Sequence, residues 1–407
     1  SGLAPTIEVG EGPTGIVSDD SRGQLYVLNR FEATISVVSM ASETELTRVA
    51  FFDPTPDVIK AGRRHLYDTH LTSGLGHVSC ASCHVDSRTD RLAWDLGDPG
   101  GEMIAVEAPR HNLGGNFFGL NSDFTDFHPR KGPMTTQTLQ DIIGKEPHHW
   151  RGDRDGIEGF NGAFQSLLGD DTGLTPDEMR EFEDYLATIA IPPNPFRNLD
   201  NSLPTKLELT GQVTGARFGT AGRPMPDGNA LRGFNETYRP LARGIDRQAL
   251  ACITCHTAPI GIGTDTTFNL FPATAFLPID PGPNGERHHA LVSVDGSSQR
   301  AFKVPQLRTL YDKIGFDMTS TKSRAGFGLL HDGSVDGLPR FLSEDAFEPE
   351  DEQEVADLVA LMMAFSGSDF PGAAEALEPP GTPSLDAHAA VGQQLTVTGA
   401  AANLSLI

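Results

Sequence analysis

Between Gly12 and Met40 the chain alternates apolar and polar positions. Gln24-Leu25-Tyr26-Val27-Leu28 and Ala33-Thr34-Ile35-Ser36-Val37-Val38 each repeat with period two, with a polar turn between them. That period predicts strands, and the pair predicts a β-meander within residues 1–50. One such unit buries too little surface to stand alone, so it has to pack on the rest of the chain or on another chain.

Two later stretches change to a helical period. In TPDEMREFEDYLATIA, Thr175 and Glu178 make a capping box, Pro176 sits in the first turn, and Met179, Phe182, Leu186 and Ile189 form one apolar stripe. In EPEDEQEVADLVALMMAF, Pro349 and acidic residues open a helix carried by Val355, Leu358, Val359, Met362 and Phe365, and Ser366-Gly367 close it. The Met and Phe residues on both helices read as core or pocket wall rather than as metal ligands. IPPNPFRNLDNSLPT cannot continue the first helix and places a boundary near residues 192–204. PGAAEALEPPGTPSL reads as a linker, and the final QQLTVTGAAANLSLI is weakly strand-like.

The chemistry sits in two short motifs. Cys80-Ala81-Ser82-Cys83-His84 and Cys252-Ile253-Thr254-Cys255-His256 use all four cysteines of the chain, each pair followed at once by histidine. On a helical turn residues i and i+3 share a face, so both sulfurs reach one flat ligand while the histidine projects the same way. C-x-x-C-H is the attachment signature of c-type haem, with cysteine thioethers to the porphyrin and histidine as proximal iron ligand. A redox dithiol or a four-cysteine zinc site would leave both histidines without a role. The expectation is therefore two covalently bound c-type haems, with His84 and His256 on the irons.

The surroundings of the two motifs repeat. Pro133 and Pro305 each lie 49 residues after their motif histidine. WRGDRDGIEGF (150–160) parallels HDGSVDGLPRF (331–341), with matches at Gly152/Gly333, Asp155/Asp336, Gly156/Gly337, Ile157/Leu338 and Phe160/Phe341. Glu158 of the first copy faces Pro339 of the second, so only the first loop carries a carboxylate able to move a proton, as heterolysis of an O–O bond requires. Glu158 also reads as a surface acid favoured by a helix N-terminus.

The bulk numbers narrow the partners. A formal charge of −24 over 407 residues argues against nucleic acid and anionic membrane and suits either a well-solvated surface or a small basic electron-donor protein. There is no apolar run of bilayer length and no signal-peptide pattern in SGLAPTIEVGEG, so the chain reads as a processed, periplasmic or exported product without a membrane span.

HLYDTHLTSGLGHVSCASCH, GPMTTQTL, HHWRGDRDGIEGF, and FKVPQLRTL followed by LLHDGSVDGL together resemble the dihaem cytochrome c peroxidase and MauG-type family over roughly residues 55–366. GPTGI and LYVLNR are similar to one blade repeat of YVTN-type β-propellers. The resemblance implies a mainly α fold: two cytochrome c-like haem domains related by internal duplication, plus the short N-terminal β-meander. The expected domains are 1–50 (meander), 51–196 (haem 1, peroxidatic), 197–370 (haem 2, electron transfer) and 371–407 (linker and tail). The implied activity is reduction of hydrogen peroxide, or of another small oxidant, at haem 1 with electrons relayed through haem 2. MauG-like oxidation of a partner protein or organic molecule and plain electron transfer stay open as alternatives.

By the same resemblance Glu158 is the catalytic acid/base, and His148 and His149 supply one polar pocket group between them. Arg151 stands where the family has Asp. His111 and His128 are read either as a reversible ligand of haem 1 or as turn residues. For the sixth position of haem 2, Met318, His331 and no protein ligand at all stay open. A calcium ion is implied, with ligands at the carbonyls of Gly326 and Gly328 and at Asn112. Neither Trp94 nor Trp150 falls at the family's inter-haem tryptophan position.

Overall fold

The computed structural model describes residues 6–103, 111–112, 129, 132–146, 148–151, 154, 156–240, 242–245, 251–256, 258, 261, 266–269, 275–278, 290–293, 301–314 and 328–366. The chain divides into two compact units, Ser1–Cys83 with Phe160–Thr188, and His84–Gly159 with Ile189–Ile407.

The first unit opens with four strands, β1 (Pro13–Asp19), β2 (Gln24–Asn29), β3 (Thr34–Ser39) and β4 (Thr44–Ala50), antiparallel and adjacent in sequence order. The hairpins repeat every ten residues, and each loop carries a left-handed residue: Gly23, Ala33 and Glu43. In the register Ile16 faces Val27, and Val27 faces Ser36. One face thus buries Val27, Asn29, Ser36 and Val38, while both outer strands stay largely exposed. Arg63 ties this sheet to the helix that follows: its Nη2 donates to the Arg30 carbonyl at 2.7 Å and its guanidinium lies over the Phe31 ring.

That helix, α1 (Asp57–Tyr67), is followed by the single turn α2 (Thr69–Thr72), and later by α3 (Asn161–Ser166) and α4 (Pro176–Leu186). The expected capping box of α4 forms, with Thr175 N donating to Glu178 Oε2 at 2.8 Å. Met179, Phe182 and Leu186 are buried as the stripe required, whereas Ile189 lies past the helix end. Helices α1 and α4 cross at Gly62, where a β-carbon would stand 2.2 Å from both the Glu181 carbonyl oxygen and Tyr185 Cβ. Glycine is what lets the two backbones meet there.

The second unit holds α5 (Ala230–Arg232), running into a π-helical stretch Gly233–Tyr238, then α6 (Cys252–Cys255), α7 (Leu338–Leu342) and α8 (Glu352–Ala364). Its core gathers Phe234, Tyr238, Ile253, Leu338, Leu342, Val355, Leu358, Val359, Met362 and Phe365. The expected stripe of α8 is all buried, and Ala356, Asp357, Ala360 and Leu361 are buried with it. The helix is a core helix packed on every side. Asp357 is admitted by its ion pair with Arg232 and by the Asn229 amide at 2.8 Å. Gly233 crosses α8 closely, as Gly62 crosses α4: a β-carbon would lie 2.6 Å from the Asp357 carbonyl oxygen.

The expected mainly α fold of two cytochrome c-like haem domains is corrected here. Described residues are 28% helical and 15% strand, with the four-stranded antiparallel sheet at the N-terminus. The physical reason is that no described helix exceeds 13 residues. With 44 glycines and 29 prolines the chain breaks into loops and short paired strands, such as Ala93–Trp94 against Met134–Thr135.

Candidate functional site

Cys80–Ser82 forms a 3₁₀ turn opened by Ser79, whose amide donates to Ser82 Oγ at 3.1 Å, and Cys83 N closes the turn on the Cys80 carbonyl. In the second motif Cys252–Cys255 is one helical turn, closed by His256 N on the Cys252 carbonyl at 2.9 Å. Cys80, Cys83 and Cys252 form no disulfide. Burial pushes the Cys80 thiol up to about 11, with the neighbouring Cys83 adding to it.

Both motif histidines are held in the same manner. His84 Nδ1 lies 2.8 Å from the Gln137 carbonyl oxygen, and His256 Nδ1 lies 2.8 Å from that of Gly261. A carbonyl only accepts, so Nδ1 carries the proton and Nε2 keeps its lone pair. This is the tautomer and orientation of a metal-ligating imidazole. Burial holds both rings below their ordinary pKa, opposed by further backbone carbonyls, Arg88 at His84 and Pro305 at His256. The shift favours the neutral imidazole, the form that ligates iron. These residues therefore fit a c-type haem: paired thiols on a turn, then an oriented, neutral histidine.

Glu158 lies exposed on the turn Ile157–Phe160, its carboxylate folded back so that a β-carbon on Gly156 would stand 2.6 Å from Oε2. His148 is buried, bridges to Arg154 with its amide on the Arg154 carbonyl at 2.7 Å, and points Nε2 at Glu146 Oε1, 3.6 Å away. Burial lowers its pKa and Lys303 adds to this, while the carboxylates of Glu146 and Glu158 pull it back up. His149 adopts a left-handed backbone, φ 67°.

The parallel between the two loops extends to their backbones. His148↔Arg154 and Leu329↔Val335 are equivalent bridges 181 residues apart, His149 and Leu330 are both left-handed, and a helical turn starts at Ile157 and at Leu338. One residue joins them: Thr135 N donates to the His331 carbonyl and Thr135 O accepts from Trp150 Nε1, both at 2.8 Å. His331 sits at this junction, where burial and Arg151 lower its pKa against the pull of Asp332. Lys313 Nζ lies over the Trp150 ring, 5.1 Å from its centre, and burial brings its pKa down to about 8.

Met318, Gly326 and His128 lie outside the described residues. His111 and Asn112 form a short strand whose backbone pairs with Ala290 and Leu291, and Gly328 packs against the Lys313 carbonyl. Among the described residues no group of three or more His, Cys, Asp or Glu converges to hold a metal ion, and no helix is long and apolar enough to cross a membrane.

Sequence reasoning missed a buried charge cluster. Arg308 and Asp141, each 1% exposed, form an ion pair, and Lys145 Nζ donates to Asp141 Oδ1 at 2.8 Å. A signal existed: Thr138-Leu139-Gln140-Asp141-Ile142-Ile143-Gly144 recurs as Thr309-Leu310-Tyr311-Asp312-Lys313-Ile314-Gly315.

No family model and no curated protein matches the chain. Among solved structures it is similar to hydrazine synthase of Kuenenia stuttgartiensis, pressurised with xenon, at 18% identity and a TM-score of 0.42. The similarity covers 77% of this chain and 88% of that one. At that overlap no residue role is carried from one chain to the other.

Proposed function

We propose that the chain is a dihaem c-type oxidoreductase that reduces hydrogen peroxide, with one haem on Cys80, Cys83 and His84 and the other on Cys252, Cys255 and His256. The observation that carries this is the recurrence of the histidine geometry: two C-x-x-C-H motifs, 172 residues apart, each present a half-buried imidazole with Nδ1 on a backbone carbonyl at 2.8 Å. When bound, each haem supplies an iron that binds small oxidants or passes electrons.

The protein's own residues supply orientation and proton handling. The Gln137 and Gly261 carbonyls fix the two rings. Glu158, on the first loop, takes a proton from incoming peroxide and returns it to the departing oxygen, and Pro339 denies the second loop that chemistry. A net charge of −24 suits a small basic protein as electron donor. The test is peroxide consumption driven by a reduced small basic cytochrome. The Glu158→Gln chain should turn over roughly a hundredfold more slowly. Turnover equal to that of the unaltered chain would remove Glu158 from the proposal.

A further inference from the structure

Each repeated aspartate pairs with an arginine belonging to the other copy. Asp141, of the first Thr-Leu-x-Asp-x-Ile-Gly run, binds Arg308, which directly precedes the second run. Asp312, of the second run, binds Arg88, four residues past the first motif histidine, with Arg88 Nη1 at 3.2 Å from both carboxylate oxygens.

These pairs sit directly behind the histidines. Gln137, whose carbonyl takes the His84 Nδ1 proton, lies four residues before Asp141. Pro305, whose carbonyl faces the His256 ring, lies three residues before Arg308. The Arg88 carbonyl faces the His84 ring while its guanidinium holds Asp312. The loop behind one imidazole is therefore bonded to the loop behind the other, twice.

Stability is a weak reason for the inner pair. A buried ion pair generally gains little over apolar residues of the same volume, and what it supplies is one fixed geometry. The site is built for geometry: Arg308 Nη2 also donates to the Asp141 backbone carbonyl at 3.3 Å, and its Nε to Gln306 Oε1 at 2.8 Å. Asp141 itself, φ 49°, and Thr309, φ 57°, hold left-handed backbones on either side of the pair. Two cations, Arg308 and Lys145, face the Asp141 carboxylate in a buried place.

We propose that Asp141–Arg308 and Arg88–Asp312 are positioning ion pairs that couple the two histidine loops, so that a change at either pair alters the reduction equilibrium of both haems together. This rests on the dihaem reading above. The cross-copy geometry gives the coupling its route, and the charge of buried Arg308 gives it a sign, since removing a positive charge favours the oxidised, more positive centre.

The test is a spectroelectrochemical titration of the loaded protein, which reads both centres without turnover. Arg308→Met should lower the reduction equilibrium constants of both haems by about threefold to tenfold, and Arg308→Lys should hold both within about twofold of the unaltered protein. Should Arg308→Met fail to fold, Arg88→Gln, at the partly exposed pair, should move both centres in the same direction by a smaller factor. A shift confined to one centre, or unaltered values at both despite lowered stability, would overturn the coupling and make the pairs merely structural. An unaltered protein without two haem waves would instead refute the dihaem reading, and this proposal with it.

Discussion

Replacing Gly62 by alanine tests whether the helix crossing beside the first motif is as close as described. The added β-carbon would stand 2.2 Å from the Glu181 carbonyl oxygen and from Tyr185 Cβ, against an ordinary contact of about 3.5 Å or more. The oxygen belongs to the backbone of α4, so it cannot rotate aside. The two helices would have to separate by about an ångström in a core that packs without slack. Overpacking against a backbone atom lies at the upper end of its usual range, about 3 kcal/mol, while the gain in helix propensity from glycine to alanine returns about 1 kcal/mol, leaving a net loss of about 2 kcal/mol. Gly162 is the matched control, because a β-carbon there meets nothing within 4 Å and it too lies in a helix. Gly162→Ala should stabilise by about 0.5–1 kcal/mol. Urea unfolding followed by circular dichroism measures both. Opposite signs are expected, and a Gly62→Ala chain as stable as the unaltered one would refute the close crossing.

Asp141→Asn leaves Arg308 and Lys145 facing a neutral side chain in a buried place, and should lower stability by about 3–5 kcal/mol in the same urea assay. Lys313 should shape the pH dependence of stability. Its pKa falls from the usual 10.5 to about 8 on burial, so between those values the unfolded chain binds a proton the folded chain has released. Stability should rise with pH across that window, by at most about 3 kcal/mol. Lys313→Met should flatten the rise, and an unchanged slope in melts at pH 7.5–10.5 would assign it to another group.

Local pattern made parts of this molecule readable in advance. Alternation located β2 and β3, because their side chains divide between a buried and a half-exposed face, whereas β1 and β4 are exposed on both faces and carry no such alternation. The Thr175 cap and the α4 stripe followed from positions within one helix. Helix α8 was located by the same logic, but its burial all round arises from Gly228, Gly233 and Arg232, which approach it from more than a hundred residues away. The Asp141–Arg308 pair joins residues 167 apart, and its one sequence signal is the repeated Thr-Leu-x-Asp-x-Ile-Gly run that holds Asp141 and follows Arg308. The loop equivalence was readable through Trp150/His331, and its backbone counterpart is the pair of bridges at the same spacing. The fold class was misjudged because it was taken from the family resemblance of the motif blocks, while the glycine- and proline-rich stretches between them carry little periodic signal of their own.

The central claim is that both motifs hold covalent haem through oriented histidines. The most direct measurement is a pyridine haemochrome spectrum of the chain after extraction with acidified acetone. Two haems of the c-type should remain attached to each chain, and Cys252→Ala with Cys255→Ala should leave one. Complete extraction of the haem, or a chain carrying none, would contradict it.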